Sequence, residues 1–154
     1  MADYFFDTSA LVKAYMPEVG TAWVRSLLDP DAGNDIFVLR LTSVEMTSAI
    51  TRRQRSGSLT ADSAAIALSE FRAQLASDLF VAEITDTIVG QAIQLVERHG
   101  LRAYDALQLS AAVDLRRRAA TFGLQSPVFV SADTELNAAA LREGLVVENP
   151  LNHP

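Results

Sequence analysis

Five short apolar runs recur along the chain, each followed by a longer stretch with helical spacing, and this alternation constrains the fold more than any other feature. The runs are Tyr4-Phe5-Phe6, Ile36 to Leu39, Leu79 to Ile84, Val128-Phe129-Val130 and Val146-Val147. Successive apolar residues in such short runs suit strands covered on both faces. Helical patterns fill the intervals: one from near Ala10, broken at Pro17 and Gly20, then one from Thr21 through Trp23, Val24, Leu27 and Leu28. A third runs from Thr42 to Ser56-Gly57, and Ala64, Leu68, Phe71 and Leu75 form a stripe behind Thr60. Ile88, Ala92, Leu95, Val96 and His99 stop at Gly100, a nearly apolar helix follows Arg102, and Thr134 to Glu143 ends at Gly144. Thr8-Ser9, Thr21 and Thr42 are the expected N-caps, the last with Glu45 at capping-box spacing. The expectation is a single α/β domain spanning residues 1–154 with a mainly parallel sheet.

Composition excludes several chemistries. The chain has no cysteine, so disulfide scaffolds, thiolate nucleophiles, iron–sulfur clusters and cysteine zinc sites drop out. The N-terminus lacks the basic start and long apolar run of a secretory signal. The longest charge-free stretch, Ala119 to Ala132, is interrupted by Gly123 and Pro127. A cytoplasmic protein with no membrane span is therefore expected. A net charge of −6 argues against a surface built broadly for phosphate backbones.

Among the 19 acidic residues, position singles out four. Asp7 and Asp133 each stand immediately past a predicted strand, and in an open parallel sheet these C-terminal strand ends share the edge where ligands bind. Glu45 lies in the first helical turn beyond the Ile36 to Leu39 strand and can reach the same edge. Asp105 sits near the start of the buried helix, a position that strand pattern does not fix. The helix dipole alone would account for Glu45 or Asp105 taken singly. Crowded carboxylates, however, repel and raise one another's pKa, a cost that a hard cation such as Mg²⁺ or Mn²⁺ offsets through oxygen ligands.

Tyr4-Phe5-Phe6-Asp7-Thr8-Ser9-Ala10-Leu11, Glu45, Arg102-Ala103-Tyr104-Asp105-Ala106-Leu107-Gln108 and Phe129-Val130-Ser131-Ala132-Asp133 resemble, in order and spacing, the motifs of PIN domains. More narrowly, the chain is similar to the VapC-type ribonuclease toxins of bacterial toxin–antitoxin pairs. The resemblance covers nearly the whole chain, although residues 57–84 match no motif. It implies a three-layer α/β/α sandwich and a Mg²⁺-dependent endoribonuclease, with Mn²⁺ able to substitute. Carried over by position, it makes Asp7 and Asp105 the principal metal ligands, with Glu45 and Asp133 completing a catalytic acidic pocket and Thr8, Ser9 and Ser131 as supporting hydroxyls. It further implies a VapB-like antitoxin that occludes the site, and a homodimer or a toxin–antitoxin hetero-oligomer.

Metal-assisted attack by water on the phosphodiester is the mechanism this reading favours. A His acid–base pair is disfavoured, because His99 ends a helix, where the dipole favours it, and His153 lies in a tail expected to fray. Arg52 is seven residues after Glu45, two helical turns on, and is expected with its neighbours Arg53 and Arg55 to line an RNA path; Arg102 borders the pocket from three residues before Asp105. Arg116-Arg117-Arg118 suits solvation or the helix C-terminus, although it could face an acidic partner. Trp23, Leu27 and Leu28 are core by default and could otherwise contribute to a partner surface. An aspartyl-nucleophile phosphatase would need a second Asp where Ser9 stands, and a receiver domain would need a late Lys where the chain's one lysine is Lys13. A PIN-like binding module without catalysis is the alternative from a different class.

Overall fold

The computed structural model describes residues 1–154. The strands are β1 (Asp3–Phe6), β2 (Asp35–Leu39), β3 (Leu79–Ala82), β4 (Val128–Val130) and β5 (Val146–Glu148). The helices are α1 (Thr8–Leu11), α2 (Thr21–Leu28), α3 (Thr42–Arg55), α4 (Ala61–Ser77), α5 (Asp86–His99), α6 (Ala103–Thr121) and α7 (Thr134–Arg142). The sheet has five strands in the order β3-β2-β1-β4-β5, and every pairing is parallel. Thus the sheet expected to be mainly parallel is wholly so.

Alternation along each strand sends side chains into two separate cores. Phe6, Ile36, Val38 and Val130 pack with Leu11, Val24, Met46, Ile50 and Phe71 from the helices of the first half of the chain. Phe5, Leu39 and Phe129 pack on the opposite face with Ile88, Leu95, Leu109 and Leu136 from the second half. The chain therefore winds outward from β1 to β3 with helices on one face, then returns past β1 to β4 and β5 with helices on the other. This is an α/β/α sandwich, and two right-handed windings in opposite directions require it. The order reverses between β1 and β4, which places the ends of these two strands at the mouth of a crevice.

Several helix starts differ from the expected caps. Asp7 itself caps α1, accepting from the Ser9 backbone N–H at 3.2 Å, so the helix begins at Thr8 and tightens into a 3-10 turn over Val12–Ala14. Gly20, at φ +89°, caps α2 in place of Thr21, whose hydroxyl donates instead to the Lys13 carbonyl at 2.9 Å. Leu41 caps α3, and no capping box forms: the Thr42 hydroxyl is fully buried and accepts from Gln108 Nε2 at 3.1 Å. In each case the cap moves to the preceding residue, and at α3 a tertiary partner, Gln108, takes the hydroxyl that would have capped. By contrast, Thr60 does cap α4, and Gly100 closes α5 in the left-handed conformation.

The tail is also tied down, contrary to expectation. Pro150 packs so closely on Gly20 that a side chain at residue 20 would bring its Cβ within 2.5 Å of the Pro150 carbonyl. The His153 ring stacks on Trp23 at 4.1 Å and bonds Glu148 at 3.0 Å. His99 is structural, its Nε2 lying 2.7 Å from Glu143 beside Arg98. Arg116 donates to the Glu143 carbonyl near the end of α7 at 2.6 Å, and Arg118 pairs with Asp114. No helix is long and apolar enough to cross a membrane.

Candidate active site

β1 and β4 are in register from Tyr4 opposite Val128 to Phe6 opposite Val130, so the chain leaves both strands at one level. Asp7 follows β1 directly, and its backbone N–H still donates to the Val130 carbonyl at 2.9 Å. Asp7 as a whole is 4% exposed. Oδ2 accepts from the Ser9 hydroxyl at 2.5 Å, the Ser131 hydroxyl at 3.1 Å and the Ser9 backbone. Each serine oxygen accepts in turn from the β4–α7 turn, Ser9 from Ala132 N–H at 3.0 Å and Ser131 from Asp133 N–H at 3.1 Å. These two hydroxyls are oriented by the backbone and turn their protons to Asp7. Oδ1 carries no hydrogen bond.

Burial pushes the Asp7 pKa up to about 6, the serine donors oppose that rise, and the Glu45 carboxylate adds to it. Glu45 projects from the first turn of α3, where its Oε1 accepts from the Thr8 hydroxyl at 3.0 Å and from Gln108 Nε2 at 2.8 Å. Gln108 is fully buried, and the same Nε2 reaches Thr42 and, at 3.3 Å, Thr8. One amide thus joins α6 to the starts of α1 and α3 and fixes one oxygen of Glu45. A glutamine in an otherwise apolar helical stretch was the available sign of such a role. A neutral donor among acceptors is also what a buried helix can hold beside a carboxylate without adding charge.

Asp105, in the first turn of α6, and Asp133, the N-cap of α7, close the other side. Asp133 Oδ1 accepts from the Leu136 backbone at 2.9 Å, which commits that oxygen to the helix. Arg102 caps α6 by backbone position alone, and its guanidinium bridges the two acids, Nε to Asp105 Oδ2 at 2.9 Å and Nη2 to Asp133 Oδ2 at 3.4 Å. Arg102 is therefore engaged inside the acidic group, in addition to bordering it.

Asp7, Glu45, Asp105 and Asp133 all line one open cleft of about 630 Å³, together with Thr8, Ser9, Arg52, Arg102 and the exposed Tyr104. Arg52 and Arg55 continue along α3 into an adjoining recess with Thr47, Ser48 and Thr51. Arg53 does not join them, because it turns toward Glu18 at 3.6 Å. No three Asp, Glu or His side chains converge closely enough to enclose an ion as they stand. The donor chemistry nevertheless fits a hard divalent cation: every candidate ligand is a carboxylate oxygen, and all four acids face one cleft.

Comparison with known proteins agrees with this architecture. A family model described as PIN domain matches residues 4–141. The fold is similar to that of PAE2754 from Pyrobaculum aerophilum, at TM-score 0.62 and 23% identity over 95% of this chain and 83% of that one. It is also similar to VapBC2 from Rickettsia felis, solved with a DNA fragment from its promoter, at TM-score 0.60 and 17% identity over 96% and 98% of the two chains. VapBC-5 of Mycobacterium tuberculosis, a member of a family of toxin–antitoxin systems, aligns at TM-score 0.55 and 19% identity over 97% and 98%. No curated protein is similar enough in sequence to match. PIN domains are generally nucleases and typically use divalent metal ions. With the model spanning nearly the whole sheet and all four acids of the cleft, the chain belongs to the PIN-domain family.

Proposed function

We propose that the chain is a Mg²⁺-dependent endoribonuclease, the toxin of a VapBC-type toxin–antitoxin pair, acting in the cytoplasm as a single nuclease domain. One observation carries the reading: four acids from distant segments line one cleft at the C-terminal edge of a parallel sheet, and the most buried of them has its pKa raised to about 6. Asp7 and Asp105, with Glu45 and Asp133, would hold the ion, which supplies Lewis-acid lowering of the pKa of water and charge stabilisation at the leaving oxygen. The residues around them orient these ligands. Ser9 and Ser131 fix Asp7, which lines the cleft, through Oδ2 and leave Oδ1 without a hydrogen bond. Thr8 and Gln108 do the same for Glu45 through Oε1. Arg52 and Arg55, along the exposed side of α3, present guanidinium groups to a phosphate backbone. Membership of the PIN family and likeness in fold to VapBC proteins support a cognate antitoxin as partner, in a hetero-oligomer or beside a toxin homodimer.

Purified protein should cleave RNA only with Mg²⁺ or Mn²⁺ and leave a 5′-phosphate on the downstream fragment, and Asp7→Asn or Asp105→Asn should abolish cleavage. Undiminished cleavage by either variant, or in excess EDTA, refutes the assignment. The alternative is a catalytically inactive binding module, against which the four intact acids of the cleft argue. Failure of millimolar Mg²⁺ or Mn²⁺ to raise the melting temperature would decide for it.

A further inference from the structure

Arg102 is oddly placed for a residue of an acidic cleft. Its side chain is 80% exposed, unconstrained by packing, yet it spans Asp105 and Asp133, which are 20% and 27% exposed. At Asp133 it takes the one oxygen that the α7 cap leaves uncommitted, since Oδ1 is bound to Leu136 N–H. At Asp105 it takes Oδ2 and leaves Oδ1 open. On the far side of the cleft Asp7 Oδ1 carries no hydrogen bond, and the serine and amide donors hold only one oxygen each of Asp7 and Glu45. Half of the acidic group therefore has an internal cation, and the other half awaits one.

We propose that Arg102 is a competing counter-cation: its guanidinium holds Asp105 and Asp133 in the ion-free protein, and divalent-ion binding must displace it. The proposal rests on the reading of the cleft as a divalent-ion site. Its physical basis is that one carboxylate oxygen cannot serve both a guanidinium N–H at hydrogen-bond distance and a metal ion at full strength. Because the side chain is anchored only through these ion pairs, it can leave without disturbing the core. The competition is reciprocal: whatever loosens Arg102 tightens ion binding, and a bound ion loosens Arg102. High salt, which weakens exposed ion pairs, should narrow the difference between proteins with and without the arginine.

The test is Mn²⁺ titration by calorimetry on the wild-type chain, Arg102→Ala and Arg52→Ala, at low and high salt and without RNA. Arg52 lines the same cleft and forms no ion pair with the acids, so its removal measures the effect of losing positive charge alone. Exposed ion pairs are individually weak, so Arg102→Ala should bind Mn²⁺ about threefold to tenfold more tightly than wild type, and Arg52→Ala less than about twofold. Equal or weaker binding by Arg102→Ala, or a gain matched by Arg52→Ala, overturns the counter-cation role while leaving the ion site standing. If neither the wild-type chain nor Arg102→Ala binds Mn²⁺ at millimolar concentration, the ion site itself is wrong and the proposal falls with it.

Discussion

Asp7→Asn should make the metal-free protein more stable, and the size of the gain follows from the structure. Burial raises the Asp7 pKa from its ordinary 3.8 to about 6. The folded state therefore binds a proton over a pH range in which the unfolded chain has released it. Stability is present in full below the unfolded value, declines as pH rises through the folded value, and stays reduced above it. A shift of this size corresponds to about 3 kcal/mol, at 1.36 kcal/mol per unit. Asparagine removes the charge and keeps an acceptor oxygen for the Ser9 and Ser131 hydroxyls. Urea unfolding in EDTA should give a variant more stable than wild type by up to about 3 kcal/mol near pH 8, or roughly 6–12 °C in melting temperature. The difference should close as the pH falls below the unfolded value of 3.8, where both folded and unfolded Asp7 become protonated. Mn²⁺ should then stabilise the wild type and not the variant, because a ligand bound only by the folded state stabilises by mass action. A variant equal to or less stable than wild type near pH 8, or a gain independent of pH, would refute buried charge as the origin.

Further predictions concern the supports of the cleft. Gln108→Leu strips donors from Thr42 and Glu45 in the interior and should cost about 1–3 kcal/mol in urea unfolding. Gly20→Ala forces an L side chain into a left-handed backbone against the Pro150 carbonyl; it should destabilise by roughly 1–3 kcal/mol and shift the fluorescence of Trp23 as His153 unstacks. Arg52→Ala should lower the slope of log affinity for RNA against log salt by about 0.7, the value for one phosphate on a single strand. Arg53→Ala, whose guanidinium already faces Glu18, should leave that slope unchanged.

The layered α/β order is legible in the sequence because strand and helix signals are both strong and both local. Phe5 and Phe6 belong to opposite cores, which is why strands such as β1 read as unbroken apolar runs. Asp7 and Asp133 are placed by the same logic, since whatever follows a parallel strand arrives at the ligand edge. The caps are less legible: Thr21 and Thr42 have good capping chemistry, and each gives it up to a partner outside its own helix, Thr21 to the Lys13 carbonyl and Thr42 to the distant Gln108. Gln108 and the bridge made by Arg102 depend on where α6 docks, which no local pattern encodes. His153 is a similar case, because only the tertiary packing of the tail on α2 reveals its stack on Trp23.

The hydrogen bond from Ser131 to Asp7 joins residues 124 apart in sequence. β1, which begins the chain, lies at the centre of the sheet, and its neighbour β4 is nearly the last strand to be synthesised. While the ribosome is still adding the middle of the polypeptide, Asp7 stands at an unfinished edge with Ser9 but without Ser131, Asp105 and Asp133. Parallel pairings of such long range form late and cooperatively. The acidic cleft thus forms only once the chain has been made past Asp133, and no N-terminal fragment that ends before that residue contains it.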